Sequence, residues 1–355
     1  MTSPNFSFRT FLVYAQAIIL IVAALYFART LFIPMSYGLL LAVVLFPVCK
    51  KLEKHGWPRS LSITVALLIV IALFAGLLSL LVVEINLFSK DLPALKEKLL
   101  SAMPQIQKWL SNTAGISLET QSTWWQDTIH NIMSNPSAMI RNALTATAGT
   151  FVTFFLVPVY TALFLYNRGV FVQFLIRITP DTYKERLPYI LEQATGTYSK
   201  FIKGMVFVYL IVGVLNSTGL FILGIEHAIL FGMLTALMTI IPYVGIIISS
   251  LLPITVAWLT KDSIWYPVGV IVVLSFVQYM EANIIFPKVV GAQLNVSTWA
   301  TLVAIIIGGM LWGISGMILF IPFVGILKIV LDQFPAGQVF NILLARSEKK
   351  IHGNK

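Results

Sequence analysis

The sequence predicts an all-α membrane protein with about six to eight transmembrane helices, and three observations lead to that fold class. Of the 355 residues, 58% are hydrophobic and only 11% are charged, whereas soluble domains carry about 25% charged residues. Apolar runs of about 20 residues, long enough to cross a bilayer, recur along the chain. Two such runs contain nearly the same hexapeptide, IPYVGI at 241–246 and IPFVGI at 321–326, which indicates an internal repeat.

The N-terminal segment, residues 1–88, is predicted to contain three transmembrane helices. Its apolar runs lie at 11–32, 34–49 and 61–88. The first run exceeds the apolar core of a signal peptide, about 7–15 residues, so we expect it to remain as a membrane helix. The basic stretch from Lys50 to Arg59 predicts a cytoplasmic turn between the second and third runs.

The next segment, residues 89–143, is a polar insert whose charges nearly balance, and we expect it on the outer side of the membrane. Apolar residues recur every three or four positions from Leu92 to Leu110, which predicts one apolar face of a helix. Pro104 is expected to bend or break that helix. A fourth transmembrane helix is predicted at 144–166.

Residues 167–203 are predicted to form amphipathic helices on the cytoplasmic side, because this segment is rich in Lys and Arg. Apolar residues from Val170 to Ile178 share one side of a helix that ends before Pro180. The mixed charges that follow indicate a second helix, which lies under the membrane domain and leads into the fifth transmembrane helix.

Residues 204–335 are predicted to form a C-terminal membrane core that carries both hexapeptides. The core has two clear spans, 204–224 and 264–286, and two ambiguous runs, 228–259 and 299–331. Each ambiguous run has about 32 residues, enough at 1.5 Å per residue for one tilted span or for two half-helices that meet at a break. A basic tail, 336–355, follows on the cytoplasmic side.

The two ambiguous runs leave two topologies open. As single spans they give about eight crossings; as re-entrant hairpins they give about six, with hairpins that start from opposite faces and form an inverted repeat. Either total is even, so both termini are expected in the cytoplasm.

The hexapeptides supply the first candidate site residues: Pro242, Gly245, Pro322 and Gly325. Proline and glycine in a membrane run free backbone groups that lipid cannot satisfy, so protein or a wet cavity must cover them. Paired interruptions in two halves of a chain are typical of the binding site of a secondary transporter.

The polar cluster around Glu281 supplies the other candidates. Glu281 and Gln278 share a helix face, and Asn283 follows closely. Ionisable residues at membrane depth usually mark substrate or proton pathways. The alternative is that Glu281 reaches headgroup water or pairs with Lys288, and that Gln278 and Asn283 hydrogen-bond between helices.

Enzymatic chemistry has little support in this sequence. GISG at 313–316 matches the serine motif of rhomboid-type intramembrane proteases, but every histidine lies in a loop or the tail, so a general base is missing. There is no zinc HExxH motif and no Walker lysine. We therefore predict no catalytic residue, no metal and no cofactor. The net charge of +10 reflects membrane topology and does not indicate a nucleic-acid partner.

Several motifs together resemble the autoinducer-2 exporter family of bacterial multi-pass membrane proteins. They are Pro34 through Pro47, YSKFIKG at 198–204, IPYVG at 241–245, PKVVG at 287–291, and Gly313 with Gly316 before IP at 321–322. The resemblance covers most of the chain. It implies an inner-membrane location, cytoplasmic termini and a homo-oligomer, with a pentamer as one form.

The resemblance also implies export of a small polar molecule such as the quorum signal, while other family members resemble sodium or lithium ion/proton antiporters. Three functions therefore stay open. The preferred one is a secondary transporter that exports a small polar solute by alternating access. The others are a Na⁺(Li⁺)/H⁺ antiporter and a non-transporting membrane scaffold that binds partners through its insert.

Overall fold

The computed structural model of the protein describes residues 8–114, 148–242, 244–290, 296–334 and 343–344. Its secondary-structure elements in these ranges are helices. Five of the described helices are long and apolar enough to cross a membrane, and a sixth crossing is added if the bent pair Phe155–Tyr166 and Arg168–Ile178 forms one span. The predicted fold class, an all-α multi-pass membrane protein, is confirmed.

The described helices follow one another along the chain. In order they are α1 (Phe8–Phe27), α2 (Arg29–Lys54), α3 (Arg59–Ala114), α4 (Ala148–Tyr166), α5 (Arg168–Ile178), α6 (Asp181–Lys184), α7 (Leu187–Ile222), α8 (Ala228–Met238), α9 (Val244–Thr260), α10 (Trp265–Met280), a π-helical turn (Glu281–Ile285), α11 (Phe286–Val289), α12 (Thr298–Trp312) and α13 (Ile314–Leu331).

The chain divides into two compact units. Residues 1–68, 151–202 and 292–355 form the first unit, and residues 69–150 and 203–291 form the second. The division of the chain into six consecutive segments, as the sequence suggested, stays a prediction. Of the predicted outer insert and basic tail, residues 115–143 and most of 336–355 lie outside the described residues.

In the first unit, α2 packs closely against α4, and α12 reaches α1. A β-carbon built on Gly38 would lie 2.6 Å from Tyr160 Cβ, so only glycine permits this approach. The Thr161 hydroxyl donates to Gly38 O at 3.2 Å. The Trp312 indole N–H donates to Leu25 O at 2.9 Å. Buried hydrogen-bonding groups are thus matched between these helices.

In the second unit, α8, α9 and α10 pack around an apolar core. Phe231, Val256, Leu274 and their neighbours are buried in it, together with Leu95 from α3. Phe88 of α3 also meets Phe231 edge-to-face, with ring centroids 5.6 Å apart. The part of α3 beyond the predicted third span therefore packs on the C-terminal helices of this unit.

Two helices are longer than predicted. The 56-residue α3 has no boundary near residue 88 and continues through Pro104, so the helix does not break there, and the alternative expectation of a bend stays a prediction. One proline removes a single backbone hydrogen bond, and the many remaining hydrogen bonds of this long helix keep it continuous. The 36-residue α7 begins at Leu187, so the helix predicted on the cytoplasmic side and the predicted fifth span are one element of about 54 Å. Pro34 likewise lies inside α2, which begins at Arg29.

Both ambiguous runs are helix–break–helix units. The first hairpin consists of α8 and α9, and its break begins at Thr239 and contains Pro242. The second hairpin consists of α12 and α13, and it breaks at Gly313. Pro322 and Gly325 are buried inside the continuous helix α13, so the expected break at the second hexapeptide was wrong. The internal repeat itself stays a prediction.

The difference between the two breaks has a local cause. Gly313 has φ +60°, a left-handed conformation that ends α12 and that glycine adopts without penalty. In the first hairpin, Thr239 donates back to Thr235 O at 3.0 Å, and such back-bonding bends helices. The proline at 242 then removes the next donor. The position equivalent to Thr239 in the second copy is Leu319, which has no hydroxyl.

Candidate functional site

The helix that runs from Trp265 to Val289 is interrupted by the π-helical turn Glu281–Ile285. At the C-terminal end of this turn, the Phe286 amide donates to Glu281 O, five residues earlier. A π-helical turn widens the helix and changes the direction of its side chains, and such turns are frequent at functional sites. The most polar stretch predicted in the membrane core therefore coincides with an irregular turn.

Glu281 is buried, with 7% of its surface exposed. The Gln278 side chain lies near its carboxylate. Glu281 Oε2 and Gln278 Oε1 are both buried, and neither has a hydrogen-bond partner among the described residues. Lys288 is exposed, so the alternative of a headgroup-level carboxylate paired with Lys288 finds no support in the geometry.

Helix α7 packs antiparallel along this interrupted helix. A β-carbon built on Gly204 would lie 3.1 Å from Val289 O, and one built on Gly219 would lie 2.4 Å from Val273 Cγ1. Between these two contacts, the register places Glu281 level with Val212. The close approach depends on the two glycines, because larger residues at these positions would push the helices apart.

Two further polar residues of α7 belong to this region. Tyr209 lies close enough to Glu281 for the phenol and the carboxyl to interact electrostatically. Asn216 follows seven residues later on the same face of α7. Its side chain is 2% exposed, and its Oδ1 has no hydrogen-bond partner among the described residues. The register of α7 places Asn216 level with Val277 and Gln278.

A partly open groove of 310 Å³ runs between α9 and α10, and Gln278 is one of its lining residues. The others are Ile246, Ile247, Ser250, Ile254, Ile271, Leu274 and Ser275. Small-molecule sites typically have volumes of about 300–1,000 Å³, with mostly apolar walls and a few polar groups. This groove has that composition.

The first hexapeptide contributes to the same groove. Ile246 lines the groove, and Gly245 sits at the preceding turn, where a β-carbon would lie 1.7 Å from Met238 O. Gly245 is therefore required by the tight approach of α9 to the end of α8. The structure thus brings the first hexapeptide, Gln278 and Glu281 into one region of the second unit.

The remaining predicted site residues lie elsewhere. Asn283 is exposed and donates to Tyr279 O at 2.9 Å, so its amide bonds to its own helix. Pro322 and Gly325 belong to α13 in the first unit and are buried. The predicted role of these three residues in a pathway has no supporting contact among the described residues.

Oxygen acceptors dominate the chemistry of this region. No group of three His, Cys, Asp or Glu side chains that could hold a metal ion occurs in the described parts of the chain. Glu281, Gln278 and Asn216 instead present oxygen atoms without donors. Such atoms can accept hydrogen bonds from a hydroxylated solute. They can also bind a proton or coordinate a small hard cation.

Sequence reasoning did not identify Tyr209, Asn216, Ser250 or Ser275. Tyr209 and Asn216 could have been found, because their spacing of seven residues places two polar groups on one face of an apolar span. The two serines carry no such signal. Serine is common in membrane helices, and only the packing of α9 against α10 assigns these two to a groove.

Comparison with known proteins supplies a family. The profile of the AI-2E family transporter matches residues 16–336. YrrI of Bacillus subtilis is 25% identical over 320 residues, covering 86% of this chain and 87% of YrrI. YueF of the same organism is 28% identical over 319 residues, covering 85% and 84%. Both are provisionally named transport proteins. The AI-2 transport protein TqsA of Escherichia coli is 23% identical over 339 residues, or 94% of each chain.

Proposed function

This chain belongs to the AI-2E transporter family, and from that premise we propose that it is a secondary transporter that exports a small polar solute by alternating access. The family resemblance seen in the sequence is confirmed by the profile match. The proposed solute class, autoinducer-2-like molecules, follows the name of the relative TqsA.

The observation that carries this proposal is the pair Glu281 and Gln278. In each residue one buried oxygen has no hydrogen-bond partner among the described residues. Burying an unpaired polar atom in an apolar environment costs several kcal/mol on transfer scales, roughly 2–7. A protein that keeps two such atoms side by side in a membrane helix favours a ligand that satisfies them. Export then means that this ligand is taken up and released as the groove changes its exposure.

The groove supports a small solute. Its 310 Å³ volume is at the lower end of the range for ligand sites. Ser250, Ser275 and Gln278 provide three polar groups along one apolar wall, which suits a molecule with several hydroxyl groups. The first hairpin forms one side of this groove and is broken at Pro242, so a tilt of α9 about that break changes access to the groove.

We further propose that the protein resides in the bacterial inner membrane with both termini in the cytoplasm, as a homo-oligomer such as a pentamer. The basic turn between α2 and α3 and the basic segment after α4 support this orientation. Broad apolar exposure along α1, α3 and α7 supports contact with lipid or with other copies.

Flux through purified protein in liposomes tests the proposal. Metabolite profiling of cells with and without the protein identifies a solute, whose movement is then followed in liposomes. Glu281→Gln removes the charge and keeps the shape, and we expect at least about a tenfold loss of flux, equivalent to 1.4 kcal/mol. Glu192→Gln is the matched control, because Glu192 is an exposed carboxylate on α7. Equal flux in both variants would reject Glu281 as a site residue.

The three unpartnered oxygens favour a second candidate, Na⁺(Li⁺)/H⁺ exchange. Asn216 Oδ1, Gln278 Oε1 and Glu281 Oε2 are each buried without a partner among the described residues, and the single carboxylate among them balances the charge of one monovalent cation or one proton. Sodium or lithium is added to liposomes that contain the protein, and an internal dye reports proton release. Proton release that is weaker in the Asn216→Leu variant supports exchange. A silent dye from about pH 6 to pH 9, with solute flux intact, rejects exchange and leaves the first proposal standing.

A further inference from the structure

The start of the second hairpin is joined to a segment near the C-terminal end of the sequence. The Ser297 amide donates to Leu344 O at 2.7 Å, and the Ser297 hydroxyl donates to Leu343 O at 2.8 Å. Both distances are those of well-formed hydrogen bonds. Two backbone carbonyls thus hold a residue that lies 46 positions earlier than Leu343. We call this contact the C-terminal clasp.

Ser297 is also the N-cap of α12. Its hydroxyl oxygen accepts from the Ala300 amide at 3.1 Å, so one side chain caps the helix and donates to Leu343 O at the same time. The N-terminus of a helix has unpaired amides and a partial positive charge, which attract carbonyl oxygens. The C-terminal clasp therefore binds at the end of α12 where hydrogen-bond acceptors are favoured.

The C-terminal clasp and the tight turn of the hairpin lie at opposite ends of α12. At the turn, a β-carbon on Gly308 would lie 2.3 Å from Gly316 O, so α12 and α13 are in backbone contact there. Beyond α13, the Phe334 ring packs against the Tyr183 ring, with centroids 4.7 Å apart. The chain that leaves α13 is thus held at Tyr183 and again at Ser297. Helix α12 is therefore restrained at both of its ends.

The two restraints differ in strength. The Leu343 side chain is 62% exposed, so at this residue the C-terminal clasp consists of a hydrogen bond without apolar burial. Because unfolding exchanges such a bond for one with water, its net contribution to stability is modest. The turn at Gly313 is held by closely packed backbone on both sides. The C-terminal clasp is therefore the restraint that opens first.

We propose that the C-terminal clasp is a releasable restraint on the second hairpin. While it is closed, α12 moves together with the chain beyond α13. When it opens, the first turns of α12 separate from α13, and the turn at Gly313 stays closed. The clasp belongs to the first unit, whereas the groove and Glu281 belong to the second. The proposal thus goes beyond the transport function, and its failure leaves that function untouched.

Two substitutions of matched size at Ser297 separate the clasp from the helix cap. Aspartate and asparagine cap helices as well as serine does. Ser297→Asn keeps an N–H donor for Leu343 O, whereas Ser297→Asp has no donor and repels that carbonyl. Ser297→Gly, which removes the hydroxyl but weakens a cap only slightly, is a second variant without a donor.

Hydrogen exchange of the full chain in liposomes measures the release of α12. We expect amides from 301 to 308 to exchange about tenfold faster in Ser297→Asp and Ser297→Gly than in Ser297→Asn, equivalent to 1.4 kcal/mol. Amides from 225 to 235, in the first hairpin, should keep their rate in all three variants.

A spin label at position 343 measures the other side of the clasp. Cys49 is the only cysteine, so Cys49→Ser provides the background, and Leu343→Cys keeps the carbonyl that accepts from Ser297. Ser297→Asp should raise the ratio of mobile to immobilised label about tenfold, equivalent to 1.4 kcal/mol. Ser297→Asn should leave that ratio unchanged.

Three outcomes would overturn the proposal. Equal exchange and equal label mobility in Ser297→Asp and Ser297→Asn would mean that the side-chain bond to Leu343 restrains nothing. A more mobile label without faster exchange from 301 to 308 would mean that the clasp opens without releasing α12. Faster exchange in both hairpins would mean that the substitution weakens the whole fold.

Discussion

The two hairpins share a hexapeptide but use it differently. In the first hairpin the IPYVGI copy begins in the break that separates α8 from α9. In the second hairpin the IPFVGI copy lies in the middle of α13, and the break falls eight residues earlier at Gly313. The same motif therefore runs from a helix break into the start of a helix in one place and lies wholly within a continuous helix in the other.

What the hairpins have in common is a close backbone contact at the turn. A β-carbon on Gly245 would lie 1.7 Å from Met238 O, and a β-carbon on Gly316 would lie 1.9 Å from Gly308 O. In each hairpin a glycine among the first three residues of the second helix lies against a backbone carbonyl within the last five residues of the first. The tight turn is therefore the feature that the two hairpins share, whereas the proline–glycine motif only accompanies it.

The largest expected effect is a loss of stability when a methyl group is added at either of these two glycines. Gly245→Ala and Gly316→Ala each place a methyl group where a backbone carbonyl already lies, so we expect a loss of stability of about 3 kcal/mol, the upper end of the range for overpacking. Thermal unfolding of the purified protein measures the loss. If only one variant is destabilised, the two turns are not equivalent.

The control for this pair is Gly76→Ala in α3. A β-carbon there meets nothing within 4 Å, so the change only replaces glycine by a better helix former. We expect a gain of about 0.5–1 kcal/mol. A loss as large as that at Gly245 would mean that alanine disturbs this protein for reasons other than backbone contact.

The sequence predicted the membrane fold from hydropathy alone, because apolar length determines which helices can span a bilayer. It left open whether 228–259 and 299–331 are single spans or are split. It failed to place the second break, because the position of a break depends on one backbone angle at Gly313 and on side-chain hydroxyls such as Thr239, which hydropathy does not report. Glu281 was predicted because a carboxylate is rare in such a run. Asn216 was not predicted, because an amide taken by itself is ordinary in a membrane helix and only its spacing from Tyr209 distinguishes it.

The second prediction concerns the break at Gly313. Its φ of +60° and ψ of −140° suit only glycine, although a β-carbon there would meet nothing within 4 Å. Gly313→Ala should therefore cost about 2 kcal/mol through backbone strain alone. The unfolding temperature measures the cost, with Gly169→Ala, at an equally open helical position, as the control. No described residue in the first break has positive φ, so no equivalent substitution exists there.

Replacing the two prolines is expected to change solute flux to different extents. Pro242→Ala restores a donor at the first break and favours extension of α8 across it, so we expect about a tenfold loss of solute flux, equivalent to 1.4 kcal/mol. Pro322→Ala restores a donor inside a helix that is already continuous, and flux should change by less than about twofold. Similar losses in both variants would show that the hexapeptides act alike despite their different backbones.

The smallest effect concerns how the first hairpin is anchored. His227 Nε2 donates to Asp91 Oδ2 at 2.6 Å and thereby links the start of α8 to α3. The second hairpin begins differently, since Ser297 caps α12 by accepting from the Ala300 amide at 3.1 Å. Asp91 is 48% exposed, so Asp91→Asn should cost only about 1 kcal/mol.

Hydrogen exchange detects this local loss better than global unfolding does. Amides from 225 to 235 should exchange about fivefold faster in Asp91→Asn, which corresponds to 1 kcal/mol, while amides from 298 to 312 keep their rate. Glu226→Gln, an exposed neighbour of His227, is the matched control and should change neither range. Faster exchange in both hairpins would mean that the His227–Asp91 contact stabilises the whole fold, and that the two hairpins do not open independently.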